Sequence, residues 1–227
     1  MTTLAERLTH ILAQIKQTAL AYGRHPDAVT LLAVSKTKPA SDIMEAYQAG
    51  QRHFGENYLQ EALNKQLQLQ GLDITWHFIG PIQSNKTKAI AEHFSWVHSV
   101  DSLKIATRLS KQRPPELPPL NICIQVNISN EASKSGISLE QLPALYRQVS
   151  ELPNLKLRGV MAIPEPEHDF ERQRQPYRTL YKAVAELPDA ELDTFSFGMS
   201  GDLEAAIAEG ATMVRIGTAL FGERDYS

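Results

Sequence analysis

The sequence predicts an α/β protein built as a single closed (β/α)8 TIM barrel, and three observations carry that expectation. Eight strand-like runs alternate with helical runs, and no second block of a different kind interrupts them. The chain has 227 residues, near the usual size of about 250 for one barrel. An open doubly wound sheet would carry a glycine-rich loop after its first strand, and this chain has none. One domain is therefore expected over residues 1–227.

In chain order, Leu4, Leu8, Ile11 and Ile15 fall on one stripe, so residues 3–21 read as an extra N-terminal amphipathic helix. Strands are expected at 29–36, 53–57, 74–80, 94–100, 121–128, 155–163, 194–200 and 213–221. The first of these is almost continuously apolar, as a parallel strand covered on both faces must be. Helices are expected near 41–49, 59–69, 85–93, 102–112, 139–152, 171–187 and 201–210. Ser41-Asp42, Asp101-Ser102 and Ser138 supply N-cap oxygens, while Gly50, Gly71 and Gly210 punctuate helix ends. The proline-rich stretch from Arg113 to Pro119 lies inside the alternation and reads as a rigid loop.

Composition narrows the functional classes. With 42% hydrophobic and 22% charged residues the chain can bury a sizeable core, and its net charge of −3 with no basic run recommends neither nucleic acid nor an anionic membrane. The N-terminus lacks the basic-then-apolar order of a signal peptide, and no apolar stretch approaches the roughly 18 residues of a membrane span. A cytoplasmic protein is expected. Its one cysteine, Cys123, lies in an apolar strand and reads as a reduced, buried thiol. The seven histidines show no zinc-ligand spacing.

The chemistry should lie at the C-terminal ends of the strands, the working face of such barrels. Lys36 ends the first strand, where packing gives a lysine no reason to be. An ammonium there is costly to desolvate unless paired or neutral, and a neutral amine attacks aldehydes and ketones. Lys38 shares its strand parity and is the close rival. Phosphate in these barrels is often held after strands seven and eight. There the chain places Ser200 at a helix start, and Gly217 followed by Thr218. Backbone N–H groups and hydroxyls of that kind suit an anion. Arg215 shares a face with Gly217 and is either a surface ion-pair partner or, flanked by Val214 and Ile216, a permanent cation in the barrel mouth. Asn57 either orients a ligand or caps the following helix. His77 reads as a satisfied histidine of the core or mouth, and Lys134 as a secondary anion contact or a solvated side chain.

These residues fall in motifs that together resemble a known family. Ala33-Val34-Ser35-Lys36, Phe54-Gly55-Glu56-Asn57-Tyr58, Trp76-His77-Phe78-Ile79-Gly80 and Gln83-Ser84-Asn85-Lys86 come first. Ser196-Phe197-Gly198-Met199-Ser200 with Asp202, and Val214-Arg215-Ile216-Gly217-Thr218 with Phe221-Gly222, complete the set. In order and over nearly the whole chain they are similar to the pyridoxal phosphate homeostasis proteins. Phe197 and Gly201 stand at positions that vary in that family. The resemblance implies a barrel like the N-terminal domain of alanine racemase. It implies pyridoxal 5'-phosphate as cofactor, held on Lys36 as an internal aldimine, with phosphate contacts from Ser200, Gly217 and Thr218. It also implies Arg215 at the pyridine nitrogen and Asn57 near the ring.

A cation in place of the usual carboxylate would leave the ring a weak electron sink. At about 4 Å and an effective dielectric near 20 the repulsion is roughly 4 kcal/mol, enough to lower the pyridinium pKa by nearly three units. Racemases with this weak sink use two opposed bases, one from an additional β-domain, and a chain ending at Ser227 is expected to lack the second. The resemblance therefore implies a monomeric holder of the cofactor in vitamin B6 and amino-acid homeostasis, supplying apoenzymes that require it, without robust catalysis. The other readings are a racemase-like enzyme and, from the residues alone, an aldolase using a lysine imine on a phosphorylated sugar.

Overall fold

The computed structural model describes residues 1–223. Arg224 to Ser227, the last four residues of the expected domain, lie outside the described residues.

Among the described residues eight parallel strands close into one barrel in sequential order, β1 to β8. The strands are β1 (Thr30–Val34), β2 (His53–Glu56), β3 (Thr75–Phe78), β4 (Trp96–Val100), β5 (Leu120–Gln125), β6 (Leu155–Met161), β7 (Thr194–Ser196) and β8 (Met213–Ile216). Each lies within the stretch expected for it, apart from Leu120, one residue before the fifth. The helices are α1 (Leu4–Ala21), α2 (Ala40–Gln48), α3 (Leu59–Gln68), α4 (Thr87–His93), α5 (Leu103–Gln112), α6 (Leu142–Ser150), α7 (Phe170–Ala185), α8 (Leu203–Ala208) and α9 (Thr218–Phe221). Short 3-10 turns at Ser84–Lys86 and Leu139–Gln141 lead into α4 and α6.

The seam is closed by β1 against β8, where Leu32 pairs with Arg215 and Ala33 with Ile216. That pairing brings the first and last functional motifs of the chain together. Closure also depends on Gly159 in β6, because a Cβ there would stand 1.6 Å from the Thr194 carbonyl oxygen of β7. The main core fills the layer between strands and helices, with Ala33, Phe54, Ile90, Val97, Ile122 and Leu180 fully covered. Trp96, Cys123 and Met161 form a separate small cluster.

The extra helix α1 starts from a capping box between Thr3 and Glu6 and buries the expected stripe of Leu4, Leu8, Ile11 and Ile15. It packs outside the barrel against α2, α8 and α9. Arg7 ties it to α9, its Nε donating to the Leu220 carbonyl at 2.6 Å. Ser102 caps α5 by accepting from the Ile105 N–H, and Ser138 forms a capping box with Gln141. Ser41 and Asp42 do not cap α2: the helix begins one residue earlier, with Pro39 at the N-cap, so they sit inside its first turn. Gly50, Gly71 and Gly210 all have positive φ, the left-handed geometry that ends a helix at no steric cost.

Several expected strands run too long, two of them at the seam that carries Lys36, Gly217 and Thr218. β1 stops at Val34, and Lys36 lies two residues beyond it, in a turn whose next residue, Thr37, has φ 64°. β8 stops at Ile216, and residues 218–221 turn into α9 instead of extending the strand. Apolar content alone did not separate a strand from the helical turn that follows it.

Candidate functional site

The site is built at the C-terminal ends of the strands. The seam of β1 and β8 places Lys36 opposite Gly217 and Thr218, and the three line one cleft with Val34 and Lys38. Gly217 is needed there for space. A Cβ on it would sit 3.2 Å from the Val34 carbonyl oxygen, so the end of β8 lies close against β1. Thr218 is exposed at the start of α9. Lys38, the rival nucleophile, donates from Nζ to the Glu223 carbonyl at 2.6 Å.

The turn that carries Lys36 rests on a buried ion cluster that sequence reasoning missed. Lys65 of α3 is 4% exposed and Glu56 of β2 is fully buried. The Lys65 ammonium donates to Glu56 Oε1 at 2.7 Å and to the Ser35 carbonyl at 2.7 Å, and pairs with Glu61 Oε1 at 2.6 Å. The Ser35 hydroxyl donates to the same Glu56 oxygen at 2.8 Å, and the Thr37 N–H donates to Glu61 Oε1 at 2.6 Å. Both neighbours of Lys36 are thus tied to the cluster, and the Glu61 bond holds Thr37 in its left-handed conformation, a sparsely populated region for a β-branched residue. Burial pushes the Glu56 carboxyl above its ordinary range, against the opposing pull of Lys65. One signal was available in the sequence: with Ala62 and Leu69, Lys65 occupies the i, i+3, i+7 stripe that faces the core.

Arg215 points inward and is 4% exposed, which corrects the surface ion-pair alternative. Its Nη1 donates to the Ser196 carbonyl at 2.6 Å and to Ser196 Oγ at 2.7 Å, and its Nη2 donates to the Ala162 carbonyl at 3.0 Å. Among the described residues no carboxylate pairs with it. Three of its five N–H donors are engaged in these bonds, leaving donors for a ligand. Asn57 lines a second cleft at the barrel mouth together with Lys134 and Gln125. Its Oδ1 is buried and accepts no hydrogen bond among the described residues, and α3 has Tyr58 at its N-cap with no side-chain cap. The capping alternative for Asn57 therefore falls away, and an unused acceptor faces the mouth region.

Ser200 is not brought into either cleft. It is exposed on the turn between β7 and α8, one residue from Met199 and Gly201, which line a third cleft. Asp202 organises that turn, accepting from the Met199 N–H at 2.7 Å and from the Tyr177 hydroxyl. His77 is satisfied, as expected, between His53 at 3.0 Å and His98 at 2.8 Å, and burial holds its pKa well below the ordinary value. Burial pushes the Cys123 thiol up to about 12, so it is inert at neutral pH. The described residues contain no cluster of metal-ligating side chains and no helix long and apolar enough to cross a membrane.

An eight-stranded barrel with a lysine on the turn just past its first strand and an arginine in its last defines the class, and comparison with known proteins gives the same answer. The model of the alanine racemase N-terminal domain matches residues 6–225. The pyridoxal phosphate homeostasis protein of Pseudomonas aeruginosa is 62% identical over 226 residues, covering 100% of this chain and 98% of that protein. The protein of the same name from Escherichia coli K12 is 56% identical over 232 residues, covering 100% and 99%. Among solved structures, PipY of Synechococcus elongatus PCC7942 with pyridoxal phosphate bound superimposes with a TM-score of 0.85 at 39% identity, over 97% of this chain and 100% of that one. The chain belongs to the alanine racemase N-terminal domain family and, within it, to the pyridoxal phosphate homeostasis proteins.

Proposed function

We propose that this protein binds pyridoxal 5'-phosphate, holds it on Lys36 as an internal aldimine, and acts in cofactor and amino-acid homeostasis as a holder and not as a robust catalyst. The observation that carries the reading is the seam cleft, where Lys36 faces Gly217 and Thr218 across the junction of β1 and β8. A primary amine beside an open backbone and a hydroxyl suits a ligand with an aldehyde at one end and a phosphate at the other.

The residues present fit this group. Asn57 offers a buried acceptor that no group among the described residues uses. Arg215 offers a permanent cation, anchored to carbonyls and a serine without a carboxylate among the described residues. Bound pyridoxal phosphate would supply an electron sink for amino-acid chemistry, and a cation at its ring nitrogen makes that sink weak. In this reading Arg215 faces the ring nitrogen, Asn57 lies by the ring, and Gly217, Thr218 and Ser200 take the phosphate. Ser200 must then be reached by movement of its exposed turn. The names of the relatives, which describe homeostasis and no reaction, support the holding role. Apoenzymes that need the cofactor are the proposed recipients, with the protein acting as a monomer in the cytoplasm.

The test is to add pyridoxal phosphate to the purified protein, follow the imine absorbance, reduce with borohydride and map the modified lysine. Label on Lys36 and loss of the band in Lys36→Ala are expected. A full band in Lys36→Ala, or label confined to another lysine, would overturn the assignment. Deuterium incorporation at the α-carbon of alanine then measures catalysis, and rapid exchange would refute the holding role.

A further inference from the structure

A line of hydrogen-bonded side chains crosses the barrel interior beneath the site. It starts at half-buried His53, the first residue of β2, and runs through His77 of β3 and His98 of β4, both fully buried, to Ser196 at the end of β7 and Arg215 of β8. The links are His53 Nδ1 to His77 Nε2 at 3.0 Å, His77 Nδ1 to His98 Nε2 at 2.8 Å, His98 Nδ1 to Ser196 Oγ at 2.8 Å and Ser196 Oγ to Arg215 Nη1 at 2.7 Å.

The chemistry of its last member gives the line a direction. A guanidinium only donates, so Ser196 Oγ accepts from Arg215 and its own proton is available to His98 Nδ1. His98 then carries its proton on Nε2 and donates to His77 Nδ1, and His77 carries its proton on Nε2 and donates to His53 Nδ1. The reverse direction gives the serine oxygen two incoming donors and leaves its proton without an acceptor in the line. Burial keeps both inner rings neutral, and for His98, whose pKa falls to about 3, the nearby Arg215 charge adds to the effect. A neutral ring carries a single N–H, as the line requires.

We propose that Ser196, His98 and His77 are positioning residues for Arg215, a one-directional string of dipoles that holds the guanidinium charged and in place without an ion-paired carboxylate among the described residues. Every dipole in the string presents its negative end toward the cation. Hydrogen bonds in such a chain polarise one another, and in a low-dielectric interior that effect is strong. A carboxylate would anchor the arginine as firmly but would cancel its field at a ligand. The string solvates the buried charge from behind and leaves the field in front intact. Trp96 stacks on His77 at 5.3 Å between ring centres and keeps that ring from turning out of line. The use of the positioned cation toward a cofactor rests on the reading above, whereas the string itself does not.

Histidine and arginine side-chain nitrogen NMR on the cofactor-free protein tests the proposal. In the wild type, His77 and His98 should both show protonated Nε2 and bare Nδ1, and the Arg215 N–H signals should be resolved and slow to exchange. Ser196→Ala removes one small oxygen and keeps the fold. It should lose the slow Arg215 signals and shift His98 and His77 toward mixed tautomers. Arg215→Met should produce the same tautomer shift at His77, two links away. Protonated Nδ1 at either histidine in the wild type, or unchanged tautomers and arginine signals in Ser196→Ala, would overturn it. Failure of the wild type to bind pyridoxal phosphate would sink the cofactor reading and leave these signals as they are.

Discussion

Replacing Lys65 by methionine should destabilise this protein far more than loss of a surface lysine does, and should loosen the turn that presents Lys36. The ammonium makes three close contacts, at 2.7, 2.6 and 2.7 Å, to Glu56, Glu61 and the Ser35 carbonyl. Methionine fills the volume but leaves the fully buried Glu56 carboxylate facing Glu61 without a counter-charge. Removing one partner of a buried pair costs about 3–5 kcal/mol, whereas an exposed pair is worth roughly 1 kcal/mol or less. For a domain of this size that corresponds to a fall in Tm on the order of 10 °C. The deficit has a definite pH dependence. Burial already raises the folded pKa of Glu56, and losing Lys65 raises it further. A carboxyl raised in the folded state takes up its proton there first, so the deficit is largest near neutral pH and shrinks as pH falls through the raised value. Urea unfolding of the wild type, Lys65→Met and Lys65→Met/Glu56→Gln at pH 7 and pH 5 measures all of this. The double variant should recover most of the loss. Because the Ser35 carbonyl loses its Lys65 donor and Glu61, which holds the Thr37 N–H, loses its counter-charge, the imine band on Lys36 at a fixed, subsaturating cofactor concentration should fall in the single variant. A cost below about 1 kcal/mol, or no recovery in the double variant, would show that the cluster does not hold this turn.

Three further outcomes follow from the same structure. His77 and His98 are held neutral by burial, so the unfolded chain takes up protons below about pH 6.5 while the folded chain does not. Stability should be complete above that pH and fall by on the order of 1 kcal/mol per pH unit for each ring, and a urea midpoint unchanged between pH 7 and 5 would contradict the burial of these rings. Lys38→Ala should keep the imine band, because Lys38 is engaged with the Glu223 carbonyl, and loss of the band with intact Lys36 would reverse the assignment. Gly217→Val should weaken cofactor-induced stabilisation by crowding Val34 at 3.2 Å and forcing the two seam strands apart, an effect read as a reduced shift of Tm on adding pyridoxal phosphate. An undiminished shift would put the phosphate elsewhere.

What the sequence determined by itself is the barrel and the addresses of its working ends. Strand-like runs of apolar residues alternate with amphipathic helices because a parallel sheet covered on both faces needs exactly one helix per return, give or take the short α9 after the last strand. That one-dimensional pattern was enough to put Lys36 with the first strand and Gly217 and Thr218 with the last, but not to say where either strand stops, which is Val34 for β1 and Ile216 for β8. The polar anomalies inside apolar runs, Lys36 and Arg215, were visible because a charge with no packing role stands out against its neighbours.

Tertiary structure decided which of those addresses meet. Only closure of β1 on β8 brings Lys36 against Gly217, and only the fold shows that Ser200 stays outside both clefts while Asn57 keeps an unused buried oxygen. The two supporting networks were out of reach for a different reason. Glu56, Glu61 and Lys65 look like ordinary helix and strand charges, and His53, His77, His98, Ser196 and Arg215 are spread over five strands. A hydrogen bond is short and directional, so whether such residues form a network depends on strand register and on which way each side chain faces the barrel axis. Those quantities exist only once the sheet has closed.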